Sequence, residues 1–67
     1  MMQLGNVKWY DPAVGIGQIE ADEGDFVQVN IDAVRKAGRK TLLEGQLVAY
    51  DLEYASGAGV ADNLRVL

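Results

Sequence analysis

The sequence predicts an all-β fold, a small five-stranded antiparallel Greek-key barrel. Three observations indicate this fold: apolar residues recur at every second position, turn-forming residues interrupt them at short intervals, and one long connection follows the third predicted strand. Closing short strands into a barrel protects their edges from pairing with other chains. The chain has 67 residues, which is enough for one domain, and we expect residues 1–67 to form it.

The first three strands follow one another closely. We predict them at residues 5–10, 15–20 and 26–30. Pro12 ends the first strand, because proline has no amide donor and presets a turn. An acidic turn at residues 21–25 joins the second strand to the third, in which Val27 and Val29 share one face and are predicted to enter the core.

The fourth strand follows a long connection. Residues 31–45 show no sustained period, so we predict a short helical turn at residues 32–34, a long loop after it, and no full helix. The clearest alternation in the chain then predicts a strand at residues 46–54. Its inward side chains are predicted to be Val48, Tyr50 and Leu52.

The last strand is predicted at residues 60–66, after a flexible turn at residues 55–59. Strict alternation places Asp62 on the same side as Leu64 and Val66. The pattern alone gives no reason for a carboxylate on that side.

Composition excludes several kinds of chemistry. The chain has no Cys and no His, so it lacks disulfides, the commonest zinc ligands and the nucleophile–base pairs of most hydrolases. We therefore predict a protein that is not an enzyme and that has no catalytic residues, no metal site and no cofactor. Without a long apolar segment or a basic, signal-like start, it is expected in the cytoplasm with no membrane contact.

Charge is distributed unevenly along the chain. The net charge is −4, which argues against strong non-specific binding to nucleic acid, since that affinity comes from Lys and Arg at phosphates. Four of the six basic residues nevertheless fall within residues 35–40, whereas residues 20–25 are acidic. The Asp and Glu side chains of the acidic turn are too closely spaced for a calcium loop and are expected to be solvated.

Residues 5–10, with the sequence GNVKWY, resemble the G-x-V-K-W-F opening of bacterial cold-shock proteins. The likeness continues in order through the two places where that family has its ribonucleoprotein motifs, through its S-A-V connector, and through its L-x-E-G-Q-x-V and N-V segments. These places correspond here to residues 14–19, 27–31, 32–38, 43–48 and 63–64. The resemblance implies the cold-shock type of oligonucleotide-binding (OB) fold.

The resemblance also implies a binding face. In cold-shock proteins single-stranded RNA or DNA lies on one face of the barrel, and its bases stack on exposed aromatic rings. Carried over position by position, the nucleic-acid-binding residues would be Lys8, Trp9, Tyr10, Ile16, Gln18, Gln28, Asn30, Ile31, Arg39 and Lys40. In this role Lys8 and the basic loop would contact phosphates, whereas Trp9 and Tyr10 would meet bases.

Several of these positions depart from the family pattern. Ile16 and Gln18 replace two phenylalanines, Gln28 replaces a third, Asn30 replaces a histidine and Arg39 replaces a common aromatic. Each lost stacking platform removes about 1–3 kcal/mol of binding free energy, so we expect weak affinity.

Each feature also has a structural explanation. Strict alternation places Trp9 beside Val7, where it would serve packing, and the amides and the cations at residues 35–40 are ordinary solvated side chains. Gly15 and Gly17 are expected to permit tight strand curvature.

Function is predicted from these features as weak, sequence-tolerant binding of single-stranded RNA or DNA by an RNA chaperone or regulator, with no small-molecule substrate. The alternative is a protein-interaction module in which Trp9, Ile16 and Ile31 form an apolar patch for a protein partner or for self-association. A barrel that has lost its ligand is a third possibility.

Overall fold

The structure is a computed structural model that describes residues 2–67. Its elements are β1 (Met2–Asp11), β2 (Ile16–Ala21), β3 (Phe26–Asn30), α1 (Ile31–Lys36), β4 (Leu47–Ala55) and β5 (Ala58–Val66). The strands close into a barrel in the order β1-β2-β3-β5-β4. Neighbours pair antiparallel except β3 and β5, which run parallel. The predicted five-stranded barrel is confirmed; its one parallel junction was not predicted from the pattern.

Apolar side chains fill the interior of the barrel. The buried cluster consists of Val7, Ile19, Val27, Val29, Ala33, Val34, Leu42, Val48, Tyr50, Ala61 and Leu64. The predicted pairs Val27 with Val29 and Val48 with Tyr50 are therefore confirmed, and Leu52 is partly buried against the cluster. Leu42, which enters the core from the connection between α1 and β4, was not predicted from the sequence.

Tyr50 is the largest fully buried side chain of the core. Burial raises the pKa of its phenol above the ordinary value, and the carboxylates of Glu23, Asp22 and Asp25 raise that pKa further. The phenol therefore stays neutral in the core at physiological pH.

The prediction of no full helix is wrong, because α1 covers six residues. Ala33 and Val34 are buried against the barrel, and this packing stabilises a helix too short to show a period in the sequence. Gly38 has a φ of 77° and ends the helix: its N–H donates to the Arg35 carbonyl, and the N–H of Arg39 donates to the Val34 carbonyl. These two bonds form a Schellman motif.

A bulge in β5 explains why Asp62 does not share a face with Leu64, although strict alternation predicts that it does. Ala49 of β4 pairs with Arg65 and Asp51 with Asp62, so β5 carries an extra residue between these pairs. Asn63 adopts a φ of 48°, and its Nδ2 donates to Oδ2 of Asp51 at 2.8 Å. Ala61 and Leu64 consequently both point inward, which strict alternation does not allow.

The turn between β4 and β5 is also tighter than predicted. Ala55 pairs with Ala58, which leaves only Ser56 and Gly57 in the loop. Both have positive φ, 53° and 80°, as in the type I′ turns that suit two-residue hairpins. β5 therefore starts at Ala58, before the predicted residue 60.

β1 belongs to two pairings, and Gly5 lies where they overlap. It pairs with Val48 of β4 on one side and with Ala21 of β2 on the other. A Cβ at Gly5 would lie 2.5 Å from the backbone oxygen of Glu20 and 2.9 Å from the side chain of Ile19. The strand thus bends around the barrel at a residue that has no room for a side chain.

We expect Gly5→Ala to lower the free energy of unfolding by about 1–3 kcal/mol, because backbone atoms must move to admit the methyl group. Gly59→Ala is the matched control: its Cβ would meet only the flexible end of Leu52, at 3.2 Å, and should change stability by less than about 1 kcal/mol. Urea unfolding followed by circular dichroism measures both. Equal losses in the two variants would show that crowding at Gly5 is not the cause.

Candidate nucleic-acid interface

Trp9 lies outside the barrel because β1 contains a bulge. Val7 pairs with Ile19 and Trp9 pairs with Gln18, the next residue back along β2, so Lys8 is an extra residue in β1. Val7 is fully buried, whereas Trp9 is 45% exposed. The indole is placed as the resemblance implies, and not beside Val7 as strict alternation would have it.

Three strands bring the predicted outward side chains into a row. Trp9 of β1 pairs with Gln18 of β2, and Gln18 pairs with Gln28 of β3. A shallow concavity of about 360 Å³ lies along this row, and we call it the Trp9 groove. It is lined by Trp9, Ile16, Gly17, Gln18, Phe26, Val27, Gln28, Ala58 and Gly59. Trp9, Ile16, Gln18 and Gln28 from the predicted set therefore share one surface.

Amide groups provide the polar part of this surface. The Nε2 of Gln28 donates to the Oδ1 of Asn30 at 2.8 Å, and Asn30 pairs with Ile16 across the two strands. This bond does not use the carbonyl oxygen of Gln28 or the amide nitrogen of Asn30. Groups of these two kinds can hydrogen-bond the base edges that single-stranded nucleic acid exposes.

Gly17 lies between the outward residues Ile16 and Gln18, and it leaves the inner side of β2 without a side chain at this point. A Cβ there would lie 2.6 Å from the carbonyl oxygen of Trp9 and 2.7 Å from Cδ1 of Tyr10. Glycine therefore leaves room for the backbone of β1 and for the Tyr10 ring, which agrees with the structural role expected for it.

Tyr10 is directed differently from Trp9. Its ring is partly buried and packs against the core cluster. Its hydroxyl is buried and has no hydrogen-bond partner among the described residues. The ring therefore supports the strand that presents Trp9 and does not line the groove.

The predicted cations Lys8, Arg39 and Lys40 do not line the groove. Nζ of Lys8 is 3.6 Å from Oε1 of Glu20, and both side chains are well exposed, so this ion pair contributes little and leaves Lys8 accessible. Arg39 and Lys40 are exposed in the loop after α1, and neither lines the groove.

Ile31 connects the groove to that basic loop. Its N–H donates to the carbonyl of Gly15 at 2.9 Å, and its side chain lies over Gly15, next to Ile16. The helix that leads to Arg39 thus begins beside the groove.

Phe26 was absent from the predicted site, yet it lines the groove and is 54% exposed. It is the first residue of β3, on the same face as Gln28 and Asn30. Alternation along the strand was the signal that could have found it; the resemblance has no aromatic motif at this position.

Residues 2–67 contain neither a cluster of metal-binding side chains nor a helix that could span a membrane. No group of three or more acidic side chains there could hold a metal ion. No helix in the same range is long and apolar enough to cross a membrane.

Comparison with known proteins shows the family. Residues 3–67 match the family described as the 'Cold-shock' DNA-binding domain. The chain belongs to the cold-shock domain family. It is 45% identical over 67 residues to cold shock protein CspA of Rhizobium meliloti, covering 96% of this chain and 97% of that protein. It is 39% identical over 64 residues to CspC of Bacillus subtilis, with 96% and 97% covered. A cold shock-like protein of Thermotoga maritima is 38% identical over 63 residues, with 94% and 96% covered.

We expect Tyr10→Phe to raise the free energy of unfolding of this cold-shock domain by about 1 kcal/mol. The substitution removes a buried hydroxyl without a partner and keeps the ring that packs on the core. Thermal unfolding followed by circular dichroism measures the change. A loss of stability would mean that the hydroxyl is hydrogen-bonded in solution.

Proposed function

We propose that this cold-shock domain binds single-stranded RNA or DNA weakly and with little sequence preference, as a chaperone or regulator of nucleic acid without catalysis. The Trp9 groove carries the proposal: an exposed indole lies in one row with the amide side chains of Gln18 and Gln28 across three strands. An open aromatic surface of this kind stacks any base, because every base has a π-face.

Family membership supports nucleic-acid binding, and the substitutions at the motif positions determine how tight that binding is expected to be. The match to a DNA-binding domain covers nearly the whole chain. Amide and aliphatic side chains at Gln18, Gln28 and Ile16 leave fewer stacking surfaces than the family motifs contain, so the affinity should be low. The protein-interaction alternative has no support from the family match or from the relatives.

Trp9 is the only tryptophan, so its fluorescence reports on the proposed site directly. Titration with single-stranded oligothymidylate at low salt should quench the emission, and Trp9→Ala should weaken binding by about 5- to 100-fold, measured with a labelled oligonucleotide. A duplex of matching length should bind at least about tenfold more weakly, because its bases are already stacked. Unchanged emission together with unchanged anisotropy of the labelled oligonucleotide would refute nucleic-acid binding.

The basic loop is tested separately by salt dependence. If Arg39 contacts a phosphate, Arg39→Gln should weaken binding at low salt and reduce the slope of log affinity against log salt by about 0.7, the share of one phosphate on a single strand. Arg65→Gln is the matched control, since it removes the same charge from an exposed position in β5 outside the groove. Equal effects of the two variants would indicate a response to net charge alone.

A further inference from the structure

The chain has five aromatic residues, and they divide into two groups. Tyr10 and Tyr50 pack in or against the core. Trp9, Phe26 and Tyr54 are exposed by 45%, 54% and 74% of their surface. Single exposed apolar side chains are normal, so the exposure of each ring means little by itself.

These three exposed rings lie along one path. Phe26 lines the Trp9 groove at the start of β3. Phe26 also lines a second, adjoining concavity with Tyr54, together with Asp25, Leu52 and Gly59. Since Phe26 and Gly59 belong to both concavities, the path is continuous from Trp9 past Phe26 to Tyr54.

The path leads away from the aromatic positions that the family motifs would occupy. Gln18 and Gln28 hold the middle of β2 and β3, whereas Phe26 and Tyr54 lie at the start of β3 and the end of β4. The chain thus lacks rings at the centre of the face and presents rings at its edge.

Charge at this edge limits how a nucleic acid can lie there. Asp25 precedes Phe26 in the chain, Glu20 pairs opposite Phe26, and Glu53 precedes Tyr54. Carboxylates repel phosphates, so a backbone cannot gain ionic contacts along this part of the surface. Bases can still stack there if the phosphates face the solvent.

We propose that Phe26 and Tyr54 are base-stacking residues that extend the Trp9 groove and shift the binding path towards the β4–β5 hairpin. The inference rests on the proposed function and deepens it, because it names where bases bind. Stacking at this edge contributes affinity that salt hardly affects, in contrast to the basic loop.

The test measures oligothymidylate affinity for ring-removing variants by anisotropy. Phe26→Ala should weaken binding by about 5- to 100-fold, and Tyr54→Ala by a similar or smaller factor, with no change in the salt slope. Longer probes should expose the loss: wild-type protein should gain more affinity than Phe26→Ala when the probe grows from about 4 to about 8 nucleotides. Asp25→Asn should strengthen binding at low salt and have little effect at high salt.

Control variants separate stacking from other causes. Leu47→Ala removes an exposed apolar side chain from β4 that lines neither concavity, and should leave affinity unchanged. Phe26→Tyr should retain binding and Phe26→Leu should lose it, because only the first keeps a ring. Circular dichroism confirms that each variant folds, and Phe26 is exposed enough for its truncation to be tolerated.

The outcomes are distinguishable. If Trp9→Ala weakens binding while Phe26→Ala and Tyr54→Ala do not, the extended path is wrong and the proposed function stands. If wild-type protein binds no oligonucleotide, the proposed function itself fails. If Phe26→Leu binds as wild type, or if the edge rings are needed for an oligolysine peptide but not for the oligonucleotide, the stacking role is overturned.

Discussion

The bulge at Lys8 is the feature on which the functional surface depends. Without the bulge, side chains would alternate strictly along β1, and Trp9 would share the inward face of Val7. With it, Val7 seals the interior and the indole reaches the solvent. The same irregularity lets Tyr10 return to the core, so adjacent aromatic residues on one strand serve binding and packing separately.

Much of the barrel could be predicted because alternation reports directly on which face of a strand is buried. The third strand was predicted at its observed bounds, and its inward pair Val27 and Val29 is fully or almost fully buried. Two irregular features escaped the pattern because each depends on a single residue with an unusual backbone angle. Gly38 ends a helix that the sequence pattern could not reveal, and Asn63 places the bulge that turns Asp62 outward.

The candidate site was predictable in part. Trp9, Ile16, Gln18 and Gln28 were placed on one surface by resemblance, and the structure brings them together. Phe26 and Tyr54 were not placed there, because a resemblance transfers only the positions where a family keeps its motif residues. An aromatic residue in a new position is visible only after the strands are assembled and its exposure is known.

The junction of β3 with β5 has the fewest paired residues of any junction in the barrel: among residues 2–67, Gln28 and Val60 are its one registered pair. The groove crosses this junction, since Gln28 and Phe26 lie on one side and Ala58 and Gly59 on the other. A ligand bound in the groove would therefore contact both β3 and β5 and would help to hold together two strands that share little backbone pairing. Local opening of the wall and release of the occupant would then be coupled events, and the resistance of β3 amides to hydrogen exchange would rise with occupancy.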